Sequence, residues 1–161
     1  MSELIKVGMA DSKICYAPDG LITLGLGSCI GIAIRDTKKQ IGGLVHIMLP
    51  DSSKISQNSN VNKFADTGIT CMVEEMIKCG ARKENMVAKL AGGAQMFMFM
   101  ESVNVTKIGD RNLEASREVL ERLGIPILAT DCGGDYGRTV KFYPKSGSFV
   151  ISAMGKDVNV I

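Results

Sequence analysis

Residues 29–49, CIGIAIRDTKKQIGGLVHIML, read as a β-hairpin around which the remaining chain can be arranged. Ile30, Ile32 and Ile34 alternate with small residues, so one strand face is large and apolar while the other carries Cys29, Gly31 and Ala33. Asp36, Thr37, Lys38 and Lys39 are turn-like, and Ile41 to Leu49 forms a second strand stopped by Pro50. A turn centred between Thr37 and Lys38 puts Cys29 directly opposite His46, the only histidine in the chain. Opposed residues of an antiparallel pair share a face with Cβ atoms about 4.5–5.5 Å apart, which lets sulfur meet imidazole. That facing depends on register, because an odd-numbered loop would break it.

Upstream, residues 3–9 suit a short strand, Ala17-Pro18-Asp19-Gly20 a turn, and Leu21 to Leu24 a strand that runs into Gly25-Leu26-Gly27-Ser28. Downstream, residues 51–63 are polar and aperiodic, a surface loop long enough to serve as a lid. Ile69, Met72, Val73, Met76 and Ile77 lie at the spacing of one helix face, ended by Gly80. Val87 to Leu90 is strand-like, Gly92-Gly93 a bend, and Gln95 to Met100 an unusually apolar run. A second helix, capped by Asp110, presents Ala115, Val119, Leu120 and Leu123 before Gly124 and Pro126 stop it. Residues 125–130, 139–143 and 148–154 complete a strand-rich chain, with a glycine-rich loop at 131–138.

The chain has 161 residues, enough for one domain with a hydrophobic core, and we read residues 1–161 as that single domain. Its 19 basic and 17 acidic residues are intermixed, without the basic stripe that phosphate neutralisation needs, so nucleic acid is not an expected partner. Glu3, Lys6, Asp11 and Lys13 interrupt the N-terminal apolar residues in a way a secretory h-region would not tolerate, so a secretory leader is not expected. No apolar run approaches a membrane span. The expected location is the cytoplasm, with no membrane insertion. Five cysteines (Cys15, Cys29, Cys71, Cys79 and Cys132) include no C-x-x-C pair, so neither a disulfide framework nor a zinc site is expected, and no cofactor is called for.

Two readings of the hairpin remain open at this level. In one, Cys29 is a small buried hydrophobe and His46 a satisfied strand histidine. In the other they form a nucleophile and its base. A free thiol is only a few per cent ionised at neutral pH, so a neighbouring base matters, and a placed histidine contributes about 10²–10⁴-fold by moving protons. A third group must hold the imidazole, and the Thr23 hydroxyl can do so. The Gly27-Ser28-Cys29 backbone offers N–H groups for an oxyanion. Cys71 and Cys79 read as helix packing.

Several blocks, in order, resemble one family: VGMAD at 7–11, GLGSC at 25–29, GLVHIMLPDS at 43–52, FADT at 64–67, AGGAQMF at 91–97, IGDRN at 108–112 and GG-x-x-GRT at 133–139. They cover nearly the whole chain and are similar to CheD, the chemoreceptor glutamine deamidases of chemotaxis. The resemblance implies a Cys-His-Thr triad at Cys29 (nucleophile), His46 (general base and acid) and Thr23 (orienting His46). It implies hydrolysis of glutamine side-chain amides on methyl-accepting chemotaxis receptors through a cysteine thioester, with hydrolysis of glutamate methyl esters as a further activity. It also implies a partner, the phosphatase CheC, and an alternative role as a regulator that stimulates it. The implied fold is α+β, a layered sandwich of mixed sheets flanked by helices in α/β/β/α order, like the cytotoxic necrotizing factor catalytic domain. Phe97 and Phe99, flanked by Met96, Met98 and Met100, are the candidates for a partner surface, with core packing as the other reading. Arg138 is either a substrate-side cation or an exposed structural arginine.

Overall fold

The computed structural model describes residues 2–52, 60–96 and 108–161. In chain order the elements are β1 (Leu4–Val7), β2 (Ser12–Tyr16), β3 (Gly20–Leu26), β4 (Ile30–Asp36), β5 (Ile41–Ile47), α1 (Ala65–Lys78), β6 (Met86–Gly92), α2 (Ile108–Leu123), β7 (Ile127–Cys132), β8 (Arg138–Tyr143), β9 (Ser148–Ser152) and β10 (Asn159–Val160). They build two mixed five-stranded sheets, β1-β3-β8-β9-β10 and β2-β5-β4-β6-β7. The expected α+β sandwich is therefore present. α1 packs on β5 and β2, and α2 on β4, β6 and β7, so both helices cover the outer face of the second sheet. Among the described residues the other sheet carries no helix on its outer face.

Sequence pattern follows this layering. β4 and β5 lie between helices and the facing sheet, and all but one of their residues are buried. Strands covered on both faces lose strict polar alternation. β8 and β9, with one face open, keep it: Val140, Phe142, Phe149 and Ile151 point inward while their neighbours are half-exposed. Two cores result. Ile30, Ile32, Ile34, Val45 and Ile47 face the helices together with Ile69, Met72, Met76 and Leu120. Leu21, Leu26, Cys29, Ala33, Leu44, Val140 and Phe142 fill the space between the sheets. There Phe142 and Phe149 meet edge to face, ring centroids 5.8 Å apart. The β5 glycines permit this compression: a Cβ on Gly43 would lie 2.8 Å from the Met72 sulfur.

Three local expectations shift. β2 has no counterpart in the sequence reading, because an edge strand that exposes Lys13 and Tyr16 shows little apolar alternation. Asp110 lies in the first turn of α2, which begins at Ile108, and there it complements the helix dipole in place of the expected cap. β7 starts at Ile127, later than expected, because Gly124 (φ 75°) closes α2 with the Ile125 N–H bonded to the Leu120 carbonyl.

Candidate active site

Cys29 immediately precedes β4, at one end of the inter-sheet core, with 8% of its surface exposed. β4 and β5 do form the hairpin, but Gly31 is the residue opposite His46. Cys29 is two residues away, on the same strand face, so its relation to His46 is diagonal and not directly opposed. The turn explains the difference. The Asp36 carboxylate accepts from the Lys38 and Lys39 N–H groups at 2.8 and 2.9 Å, the Gln40 N–H bonds the Asp36 carbonyl at 3.0 Å, and Gln40 takes a left-handed φ of 55°. This moves the turn centre one residue toward the C-terminus. Because the shift changes opposed partners by an even step, face sharing survives, and diagonal neighbours on one face remain within reach of long side chains.

His46 is fully buried, and its Nδ1 lies 2.8 Å from the Thr23 Oγ1. Thr23 comes from β3 in the other sheet, so this contact bridges the two layers. The Thr23 hydroxyl also donates to the Val7 carbonyl at 2.8 Å. A hydroxyl has one proton, so toward His46 it must accept, and Nδ1 carries the hydrogen. This assignment leaves Nε2 as the basic nitrogen; it is buried and has no hydrogen-bond partner among the described residues. The turn between β1 and β2 holds the arrangement from behind. Ala10 N–H bonds the His46 carbonyl at 2.9 Å, and His46 N–H bonds the Asp11 carbonyl at 3.0 Å. The Asp11 carboxylate in turn accepts from Gly8 and Ser12 N–H at 3.2 and 2.8 Å. Reading the sequence for side-chain chemistry missed this turn; its one signal was the VGMAD block.

Burial lowers the His46 pKa to about 4 and pushes the Cys29 thiol above its ordinary value. The resting pair is thus a thiol and a neutral imidazole, suited to general-base catalysis in place of a standing ion pair. Catalytic hydrogen bonds are commonly long before substrate is bound, which is compatible with an unpartnered Nε2.

The nucleophile loop is clasped by the bend after β6. Gly93 N–H bonds the Cys29 carbonyl and Ala94 N–H bonds the Gly27 carbonyl, both at 2.9 Å. The Gly27 N–H is itself committed to the Gly25 carbonyl at 3.0 Å. Gly27 therefore shapes the loop, its N–H not free for an oxyanion, which corrects one of the three expected donors and leaves Ser28 and Cys29 as the backbone candidates. Gly92 has φ of 112°, and any Cβ there would collide with the Cys29 carbonyl. Gly92→Ala is expected to destabilise the protein by at least about 2 kcal/mol, read as a lower urea midpoint at unchanged slope. A midpoint equal to wild type would contradict the clasp.

Arg138 is a buried arginine, not the exposed one expected. It is 2% exposed, bonded to the Asp131 carboxylate at 3.1 Å and the Tyr136 hydroxyl at 3.2 Å, with its guanidinium 4.4 Å from the Tyr136 ring centroid. Phe97 and Phe99 and most of the lid-length loop, residues 53–59, lie outside the described residues. All five cysteines are free. Among the described residues no three His, Cys, Asp or Glu side chains are grouped to hold a metal, and no helix is long and apolar enough to cross a membrane.

Comparison with known proteins agrees with the sequence resemblance. Residues 48–153 match the family model described as CheD chemotactic sensory transduction. A protein of Lachnoclostridium phytofermentans named probable chemoreceptor glutamine deamidase CheD is 52% identical over 156 residues, covering 97% of each chain. Proteins of the same name from Caldanaerobacter subterraneus subsp. tengcongensis and Syntrophomonas wolfei are 51% and 48% identical, covering 99% and 100% of both chains. With family model and full-length relatives in agreement, the chain belongs to the CheD family.

Proposed function

We propose that this chain is a chemoreceptor glutamine deamidase, a single-domain cysteine hydrolase that converts receptor glutamines to glutamate. The observation that carries the mechanism is the Val7–Thr23–His46 hydrogen-bond chain, which leaves a basic Nε2 on the strand face shared with Cys29. Nε2 takes the thiol proton as sulfur attacks the amide carbon. The tetrahedral oxyanion is met by backbone N–H groups at Ser28 and Cys29, in place of water. His46 then returns the proton to the leaving nitrogen, ammonia departs, and a thioester remains. Water, deprotonated by the same Nε2, hydrolyses it to a carboxylate and restores the thiol. The same acyl-enzyme path would accept a methyl ester, with methanol leaving instead of ammonia. No metal or cofactor enters any step.

Receptor glutamines of this class lie on the cytoplasmic helical portion, so the protein would act in the cytoplasm. The direct test is incubation with receptor cytoplasmic fragments and mass spectrometry for amide-to-acid conversion; unchanged fragments after prolonged incubation with folded enzyme would refute the proposal. The family resemblance also carries CheC as a proposed partner. It predicts that Cys29→Ala still binds and stimulates the phosphatase, and lack of binding by the intact protein would remove that role.

Thr23 is assigned the orienting role. Thr23→Val removes the acceptor for Nδ1–H and is expected to lower kcat about 10²-fold with little change in KM, while Thr23→Ser recovers most of the loss. Equal activity of the Val and Ser variants would argue against that assignment.

A further inference from the structure

Asn112, in the IGDRN block of α2, is fully buried and makes contacts that the triad chemistry does not account for. Its Nδ2 donates to the Ser28 carbonyl and to the Met48 carbonyl, both at 2.9 Å. Ser28 precedes the nucleophile, and Met48 lies two residues beyond the base. A single side-chain amide therefore straps the loop bearing Cys29 to the strand bearing His46, at the end of the hairpin where β4–β5 pairing stops at Ile30 and Ile47. Past that point no ladder bond between these strands sets the distance from thiol to imidazole.

The cost of this arrangement is visible. The Asn112 Oδ1 is buried without a partner among the described residues, and an unsatisfied buried acceptor is ordinarily destabilising. An amide is still the side chain that suits two converging carbonyls, because its two N–H hydrogens diverge from one nitrogen. An aspartate of the same shape would oppose both carbonyls with an acceptor. The helix must also come close enough for the short side chain to reach. Gly109, one turn earlier, allows this: a Cβ there would collide with the Gly93 carbonyl and lie 2.6 Å from the Ala94 carbonyl oxygen. Gly93 and Ala94 are the same residues whose N–H groups hold Cys29 and Gly27.

We propose that Asn112 is a positioning residue for the hydrolysis, setting Cys29 against His46 Nε2 by bonding the Ser28 and Met48 carbonyls together. The inference rests on the Cys29–His46 chemistry of the preceding section. Its test follows Cys29 alone, by the rate of iodoacetamide alkylation at that residue, measured by mass spectrometry on wild type, His46→Ala, Asn112→Ala and the double variant. His46→Ala is expected to slow alkylation, and Asn112→Ala to slow it at least about tenfold. The double variant should be no slower than the slower single variant, since either change breaks the same pairing. With receptor fragment, Asn112→Ala should lower kcat and leave KM near wild type, because Asn112 does not touch substrate.

Ser116→Ala is the control for mere destabilisation. Ser116 is equally buried on α2, and its Oγ bonds the Asn112 backbone carbonyl at 2.7 Å without reaching the nucleophile loop. It should lower the urea midpoint while Cys29 alkylates at the wild-type rate. If Asn112→Ala does not fold, Asn112→Ser, which keeps one donor, is measured in its place and should fall between wild type and His46→Ala. Wild-type alkylation in a folded Asn112 variant, with His46→Ala slowed, overturns the inference and spares the triad. An unslowed His46→Ala overturns both.

Discussion

Cys29→Ala should yield a folded protein whose rate of ammonia release from receptor glutamines is at least about 10⁴-fold lower than that of wild type. The size of the effect follows from the absence of any substitute nucleophile in the proposed reaction. Without sulfur there is no thioester, and the buried neutral imidazole has only water to activate. The fold should survive because the change removes one small atom from a residue at the edge of the inter-sheet core, while the Cys29 carbonyl keeps its bond from Gly93. The paired measurement is ammonia release together with circular dichroism. Activity within about tenfold of wild type in the folded variant would mean that Cys29 is a packing cysteine after all.

His46→Ala carries the second large effect, expected at about 10²–10⁴-fold in kcat/KM because both proton transfers pass through Nε2. It also has a signature in stability. An unfolded histidine titrates near 6.5, whereas burial lowers His46 to about 4 in the native protein. Between those values the unfolded chain binds the extra proton and the native state does not. Native stability is thus undiminished above about pH 6.5 and falls as pH drops toward about 4, by as much as about 3 kcal/mol. Urea denaturation near pH 7.5 and pH 4.5 should show this loss in wild type, and the His46→Ala variant should lack that portion of it. Wild-type kcat/KM should correspondingly stay flat on the acid side until pH approaches about 4. An acid limb centred near the ordinary histidine value would mean that the imidazole is not buried in the free enzyme.

Much of the architecture was legible because it rests on local periodicity. The alternation of Ile30, Ile32 and Ile34 identifies a two-faced strand, and of the five residues predicted for one helix face, Ile69, Met72, Val73 and Met76 are buried against it while Ile77 is exposed. β2 was not legible, since its one fully buried residue, Cys15, lies between Ile14 and the exposed Tyr16. Arg138 was misread for a related reason. Its burial depends on Asp131 at the end of β7 and Tyr136 in the loop that follows closing over it, and arginine is usually exposed. The IGDRN block stood out as a family match, but the use of Asn112 appears only once α2 is docked on the end of the hairpin.

By itself, then, the sequence determined that Cys29 lies on the small-residue face of its strand with Gly31 and Ala33, away from Ile30, Ile32 and Ile34, because strand side chains alternate with period two. Tertiary structure decided the rest. Asp36 and Gln40 chose a register in which Gly31, not Cys29, stands opposite His46. Thr23 reaches the imidazole from the other sheet, and its bond to Val7 selects the tautomer that leaves Nε2 basic. A spacing along the chain encodes direction relative to its own strand; a contact between sheets depends on how far apart and in what alignment the layers pack, which no local pattern carries.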